Sequence, residues 1–295
     1  MKILITGGNG FIAKSLFESL ITEHKIFAPN SKELNLLETE NISNFLKTNK
    51  FDVIIHSATY DAAPKCSVKD PNKVLENNLR MFFNLVRCQD QFGQFIYFGS
   101  GAEFSRKHWQ PKMNENFFDQ HVPEDQYGFS KYLMNKFIAG NPKIYNLRLF
   151  GVFGKYDDWR YRFIPNSCAR VLFNENIIIK QNRVFDYLFI DDLAKIVQCL
   201  ILNPPKKQTF NVCSGITYDL KSLAEKIIAI SKKKVDIIIK EPGLGLEYSG
   251  DNTLLKNDSL DLNFTPIDDA IKSLYDWYQQ NIQMIDQTQL SCYLG

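Results

Sequence analysis

The chain has 295 residues, 44% of them hydrophobic, and 35 basic against 33 acidic side chains leave a formal net charge of +2. That is enough apolar material for one large domain or two joined ones, and too little net charge for a nucleic-acid or membrane-surface role driven by bulk electrostatics. No apolar run approaches the roughly 20 residues that span a bilayer. Cys66, Cys88, Cys168, Cys199, Cys213 and Cys292 show no Cys-x-x-Cys spacing, and the start at Met-Lys-Ile-Leu-Ile does not read as a signal peptide. The expectation is a reduced, cytoplasmic protein with no metal, membrane or nucleic-acid partner.

Residues 2–5 are a short apolar run that opens into Thr6-Gly7-Gly8-Asn9-Gly10-Phe11-Ile12-Ala13, and 15–21 then carry a helical pattern. In this order of strand, glycine loop and helix, the glycines let the backbone approach a pyrophosphate, and the helix start adds free N–H groups and a positive dipole end. Thr6, Gly7, Gly8, Asn9, Gly10, Phe11 and Ile12 are therefore predicted to hold a dinucleotide. Residues 25–28 form the second strand, followed by Pro29-Asn30-Ser31-Lys32. A fold specific for NAD places a carboxylate here, about 20 residues after the glycine loop, for the ribose 2′-hydroxyl. Asn30, Ser31 and Lys32 suit a 2′-phosphate instead, which predicts NADP(H); the alternative is an ordinary solvated turn.

A helix to about residue 47 and a strand over 51–58 follow, the latter ending in small residues where backbone passes a ligand. Leu36, Ser57, Ala58, Thr59 and Asn78 complete the expected cofactor contacts, while His56 reads as a packing histidine. A helix over 72–91 and a buried strand over 94–100 put Ser100 at the carboxyl end of a parallel strand, where open α/β sheets bind ligands. That position selects it as a donor to a substrate oxygen.

Tyr127 and Lys131 are four apart and share a helix face. A nearby cation lowers a phenol from its usual pKa of about 10, and such a pair can protonate the alkoxide left by hydride addition to a ketone. The pattern alone is weak, because Tyr132 and Lys136 also match it and point to another side of the helix.

Beyond a strand over 143–150, residues 157–176 break the alternation of strand and helix and are rich in aromatic and arginine residues, which suits a substrate lobe. Strands over 177–179, 187–190 and 209–212 and a helix over 191–202 come next. An amphipathic helix over 220–231, a loop with Pro242, Gly243 and Gly245, and a last helix from 267 end the pattern. The fold class is α/β, a doubly wound parallel sheet with a smaller C-terminal lobe. Residues 1–155 and 183–215 make the dinucleotide domain, 156–182 and 216–285 the substrate lobe, and 286–295 a loose tail.

The glycine loop with Ser100, Tyr127-x-x-x-Lys131, Arg148-x-x-Gly-Val-Phe-Gly154 and Tyr187-Leu-Phe-Ile-Asp-Asp-Leu-Ala194 resembles the extended short-chain dehydrogenase/reductase family that acts on nucleotide sugars, over roughly residues 1–280. The resemblance implies that Tyr127 donates or accepts the proton, Lys131 tunes it and holds the nicotinamide ribose, and Ser100 orients the substrate oxygen. Gly128 and Ser130 match the family pattern and favour Tyr127 over Tyr132. Ala102, Glu103, Arg162, Asn166 and Arg170 are expected on the substrate, as are Lys180 and Arg183, which could replace a family arginine where Phe185 stands. Ala13 and Gly151 are further departures, since relatives usually carry Gly and Asn there. The family's helix bundle implies a homodimer through 72–91 and 127–138.

Nucleotide-sugar dehydratases of the family carry Asp-Glu directly after the serine, where this chain has Gly101-Ala102. The stretch Asn30-Ser-Lys-Glu-Leu-Asn-Leu-Leu37 looks most like the GDP-fucose synthase branch, whose acid/base pair is a Cys two residues after the Ser and a His shortly before an Ile-Pro. Ala102 and Arg162-Phe163 stand there instead, and neither alanine nor an arginine with pKa above 12 can exchange protons. The resemblance therefore implies an NADPH-dependent reductase of a GDP-linked 4-keto sugar, hexose or heptose, without epimerase activity. A 4-epimerase with bound NAD and a non-enzymatic dinucleotide-binding regulator are the alternatives.

Overall fold

The computed structural model describes residues 1–62, 67–258 and 263–291, so Cys66, Cys292 and the last four residues of the expected tail lie outside the described residues. Strands β1 (Lys2–Ile5), β2 (Lys25–Phe27), β3 (Phe51–His56), β4 (Phe92–Ser100) and β5 (Ile144–Leu149) precede β6 (Gly151–Phe153), β7 (Ile177–Asn182), β8 (Val184–Phe189), β9 (Thr209–Val212), β10 (Thr217–Asp219) and β11 (Ile237–Leu244). A parallel six-stranded sheet runs in the order β2-β1-β3-β4-β5-β9. β3, β4 and β5 read as almost continuous apolar runs because both faces of the sheet are covered.

Helices α1 (Phe11–Leu20), α2 (Thr39–Asn49), α3 (Val74–Val86) and α4 (Gln126–Ile138) precede α5 (Phe163–Leu172), α6 (Ile190–Leu202), α7 (Leu220–Ser231), α8 (Thr253–Asn257) and α9 (Ile267–Gln280). On one side of the sheet Leu16, Ile55, Ile196 and Val197 share a core that continues through α5, α7 and α9. On the other side Leu46, Phe82, Phe95 and Met134 join α2, α3 and α4. β1 lies between β2 and β3, so the strand order reverses there and opens a crevice at the carboxyl ends of these strands, the usual ligand position in such sheets. Smaller sheets, β10-β8-β6 and β11-β7, stand beside the large one. No described helix is long and apolar enough to cross a membrane.

Three local expectations need correction. α1 begins at Phe11, since Gly10 is the extended residue that starts it. The loop expected around Pro242 and Gly243 lies inside β11, where the pairing register shifts between Glu241 and Leu244; a bulge absorbs the proline that cannot donate to a ladder. The tail is not loose through residue 290: Ile285 and Leu290 are buried. The Leu290 carbonyl accepts from Arg170 Nη2 at 2.6 Å and from Asn166 Nδ2 at 3.2 Å. That docking also removes Asn166 and Arg170 from the substrate set, because Asn166 Oδ1 further binds Arg170 Nε at 2.9 Å and Glu175 pairs with Arg170 Nη1 at 3.0 Å.

Candidate active site

At the switch point the backbones of β1 and β3 touch. Gly7 has φ +73°, and a Cβ there would stand 2.9 Å from Ala58 Cα, so no other residue fits. Thr6 Oγ1 accepts from Ala58 N at 3.1 Å and bonds His56 Nδ1 at 2.9 Å, which locks the two strand ends. Burial, then the Lys131 charge, push the His56 ring down to about 3, so it is neutral packing among Phe82, Phe95 and Tyr97. α1 starts without a capping side chain and without an acidic residue in its first turn. Its N–H groups are left to an anion, and together with the Gly7 approach this fits the pyrophosphate of a dinucleotide.

Other expected cofactor residues have structural partners. Leu36 is buried in the core, its carbonyl held by Asn84 Nδ2 at 3.0 Å; it has no side chain free for a ligand. Asn78 Oδ1 accepts from Tyr60 N at 2.8 Å, near Thr59 Oγ1 at 3.3 Å, and its Nδ2 donates to Tyr60 O and Val74 O, both at 2.9 Å. It shapes the loop after β3. Asn30 Oδ1 accepts from Lys32 N at 2.9 Å, and Glu33 Oε2 takes Asn30 N at 2.8 Å. Ser31 and Lys32 remain exposed on that turn, and so does Glu33, a carboxylate the sequence pattern passed over.

β4 delivers Ser100 to the crevice edge, and the 3-10 turn Gly101–Phe104 begins there. Ala102 N donates to Ser100 Oγ at 3.1 Å, and Ser100 N donates to Glu103 Oε1 at 3.1 Å. Glu103 is fully buried and also holds Arg148 Nε and Asn135 Nδ2, each at 2.9 Å, while Ala102 is buried too. Both were expected on the substrate; the tight turn, in place of an extended segment, sends the carboxylate inward instead. α4 packs on this turn through Gly128, where a Cβ would stand 2.8 Å from Ala102 O. Asp125 caps the helix by accepting Gly128 N at 2.8 Å.

That packing sets the Tyr127 phenol beside Ser100. Lys131 is buried, donates from Nζ to Phe98 O at 2.7 Å, and lies 5.6 Å from the centre of the Tyr127 ring. Tyr132 and Lys136 instead both bond Asp119, Lys136 at 2.8 Å. Burial pushes the Tyr127 phenol up, Asp61 and Tyr248 add to this, and Arg162 and the nearby Ser100 hydroxyl oppose it. Lys131 was expected to lower the phenol. Its own pKa is held down to about 8, burial outweighing Glu103 and Asp61. The groups that oppose the rise of the phenol are Arg162 and Ser100.

Arg162 starts α5, and its charge is felt by Tyr127, Asp157 and Tyr161. Lys180 pairs with Glu241 on β11 at 3.7 Å, and Arg183, between β7 and β8, donates from Nη2 to Gln181 Oε1 at 3.4 Å. Asp157 is buried, with Oδ1 accepting from Asp158 N at 2.9 Å and Oδ2 without a hydrogen-bond partner. Sequence patterns missed Tyr248. Its hydroxyl lies beside Ser100 and donates to Leu149 O at 3.5 Å, and its ring packs on Trp109 and Phe150 with centres 4.1 and 5.1 Å away. No local motif marks it, because its role exists only once the far end of the chain folds back.

The sequence profile of the NAD dependent epimerase/dehydratase family matches residues 3–213. The chain is 24% identical to GDP-L-colitose synthase of Yersinia pseudotuberculosis over 280 residues, 86% of this chain and 91% of that one. Among solved structures it resembles a GDP-L-fucose synthetase of Naegleria fowleri bound to NADP (TM-score 0.82, 16% identity, 96% of this chain and 93% of that one). It also resembles the UDP-glucose 4-epimerase of Thermotoga maritima with UDP-glucose (TM-score 0.80, 19% identity, 96% and 100%).

Proposed function

This chain belongs to the NAD dependent epimerase/dehydratase family, and on that premise we propose that it uses NADPH to reduce the 4-keto group of a GDP-linked deoxy-sugar without epimerising carbons 3 or 5. The observation that carries this is the Ser100 hydroxyl beside the Tyr127 phenol at the carboxyl end of β4. Two O–H groups at one edge suit one carbonyl oxygen. The neighbouring positions that would need a carbon acid or base hold Ala102, Arg162 and Phe163.

In this mechanism the glycine loop and the start of α1 hold the pyrophosphate, and Lys131 reaches the nicotinamide ribose. A bound nicotinamide supplies the hydride. Ser100 and Tyr127 donate to the ketone oxygen, and Tyr127 releases its proton to the oxygen as the C–O bond becomes a hydroxyl; Arg162 steadies the phenolate left behind. Residues 1–155 and 183–215 would carry the cofactor, and 156–182 with 216–285 the sugar nucleotide. Support for a homodimer comes from α3 and α4, where Phe83 and Phe137 are 39% and 43% exposed with ring centres 5.1 Å apart. Sedimentation as a monomer at micromolar concentration would rule that out.

The test is NADPH oxidation against a panel of GDP-, dTDP- and UDP-linked 4-keto sugars. Stoichiometric oxidation with a GDP-linked member is expected. The alternative is a 4-epimerase, favoured by Glu33 on the turn after β2, where a carboxylate could take a ribose 2′-hydroxyl. It would interconvert 4-hydroxyl epimers with no net cofactor consumption.

A further inference from the structure

Lys131 is a buried ammonium with three N–H groups, one of which donates to Phe98 O at 2.7 Å. Burial works against its charge, while Glu103, itself paired with Arg148 at 2.9 Å, and Asp61 on the loop after β3 favour it. An ammonium out of water gives up its proton unless its surroundings hold the charge.

Tyr97 of β4 offers it an aromatic face. The ring centre lies 4.6 Å from Lys131 Nζ, nearer than that of Tyr127 at 5.6 Å. A cation at this range is held by the ring quadrupole, most strongly where water is excluded, and Tyr97 is 1% exposed. The sheet fixes the ring: Tyr97 stands opposite His56 in the β3–β4 register, the two rings are 6.0 Å apart, and Thr6 Oγ1 bonds His56 Nδ1 at 2.9 Å. Phe82 of α3 packs on it edge-on at 5.3 Å. One packed layer thus links the residue that opens the glycine loop to Lys131. The Tyr97 hydroxyl adds nothing to this, because it is buried without a hydrogen-bond partner. Its ring is the part that touches the site.

We propose that Tyr97 is a positioning residue for Lys131: its ring face holds the ammonium, charged, against Phe98 O and leaves the other N–H groups to the cofactor. The proposal rests on the assignment of Lys131 to the nicotinamide ribose made above. Of the other titratable groups around the ammonium, burial keeps His56 neutral and the Tyr127 phenol protonated, so neither stands in for the ring.

The test follows the Lys131 side chain by NMR in protein carrying isotope-labelled lysine, its signal identified by its loss in Lys131→Arg. In wild type its ε-methylene protons should be shifted upfield by the ring. Tyr97→Phe, which keeps the ring, should preserve both that shift and the titration midpoint. Tyr97→Leu should reduce the shift and lower the midpoint by about one pH unit, a tenfold change in proton affinity. Since wild-type Lys131 titrates at about 8, Tyr97→Leu should bind NADP+ as wild type does at pH 6, where both lysines are charged, and up to about tenfold more weakly at pH 9. An unchanged midpoint, or a binding loss equal at both pH values, would show a packing role and overturn the proposal. Absence of the upfield shift in wild type would overturn it as well, even if Tyr97→Leu does not fold. If NADP+ does not bind, the cofactor assignment falls while the NMR comparison still decides the fate of Tyr97.

Discussion

Glu103 and Ser100 hold each other at the end of β4: one carboxylate oxygen takes the Ser100 N–H at 3.1 Å, and the other pairs with Arg148 Nε at 2.9 Å, with both charged side chains fully buried. Removing one member of a buried ion pair leaves the other charge uncompensated, at a cost of about 3–5 kcal/mol. Arg148 Nη2 already lacks a partner. Glu103→Gln should therefore lose about 3 kcal/mol in urea denaturation and lower kcat as Ser100 loosens. Adding Arg148→Met should restore most of the stability; if it does not, the pair is not the source of the loss.

Tyr127 and its decoy Tyr132 separate cleanly. Tyr127→Phe should reduce kcat at least about a hundredfold, the scale of general-acid catalysis. Tyr132 bonds Asp119 at the surface side of α4, so Tyr132→Phe should leave kcat nearly intact and cost about 1 kcal/mol of stability at most. Equal kinetic losses would sink the assignment.

How much of this was legible follows from the range of each signal. β9 (Thr209–Val212) and α7 (Leu220–Ser231) were readable to the residue, because periodicity and an Asp219 cap are local. The glycine loop and the Tyr127 helix were readable for the same reason. Glu103 was expected on the substrate, but the chain leaves β4 in a tight turn that sends its carboxylate inward to Arg148. Asn166 and Arg170 look like substrate ligands in an arginine-rich stretch, but their partner is Leu290, more than a hundred residues away. Tyr248 is the same case in reverse.

Cofactor choice should depend on Ser31 and Lys32 and not on Asn30. Wild type is expected to favour NADPH over NADH in kcat/KM. Lys32→Ala and Ser31→Ala should each narrow that preference, Lys32 by about tenfold, a typical loss for one charge-assisted hydrogen bond. Asn30 holds the turn through Lys32 N and Glu33 N, so Asn30→Ala should weaken both cofactors alike. A wild type that prefers NADH would move the assignment to Glu33.

Stability should carry the signature of Asp157, whose carboxyl burial pushes up to about 7 against the opposing Arg162 charge. The unfolded carboxyl titrates near 4. Between these values the folded state holds a proton that the unfolded chain has released, so folding stability falls as pH rises through the window. The full effect is about 4 kcal/mol. Asp157→Asn should match wild type at pH 4 and be more stable at pH 8; a constant difference across the range would show that the carboxyl does not titrate there.

Reduction without epimerisation ties together the most residues. Inverting a carbon beside a ketone needs a base to remove its proton and an acid to return one on the other face. Ala102 carries no proton, and the Arg162-Phe163 pair supplies only a permanent cation and an apolar ring. Glu103 is walled off beneath Ser100 by Arg148 and Asn135. Lys155 is paired with Glu18 beside Tyr156. Asp157 and Asp61 are the remaining carboxylates near Arg162, and Asp157 Oδ1 is held by the Asp158 N–H. Run in deuterium oxide, the reaction should give a product with carbons 3 and 5 unlabelled and unchanged in configuration, by mass spectrometry and NMR against a control without enzyme. Deuterium at either carbon would mean that a base is at work, and its disappearance in Asp157→Asn would name the unpartnered Oδ2 as that base.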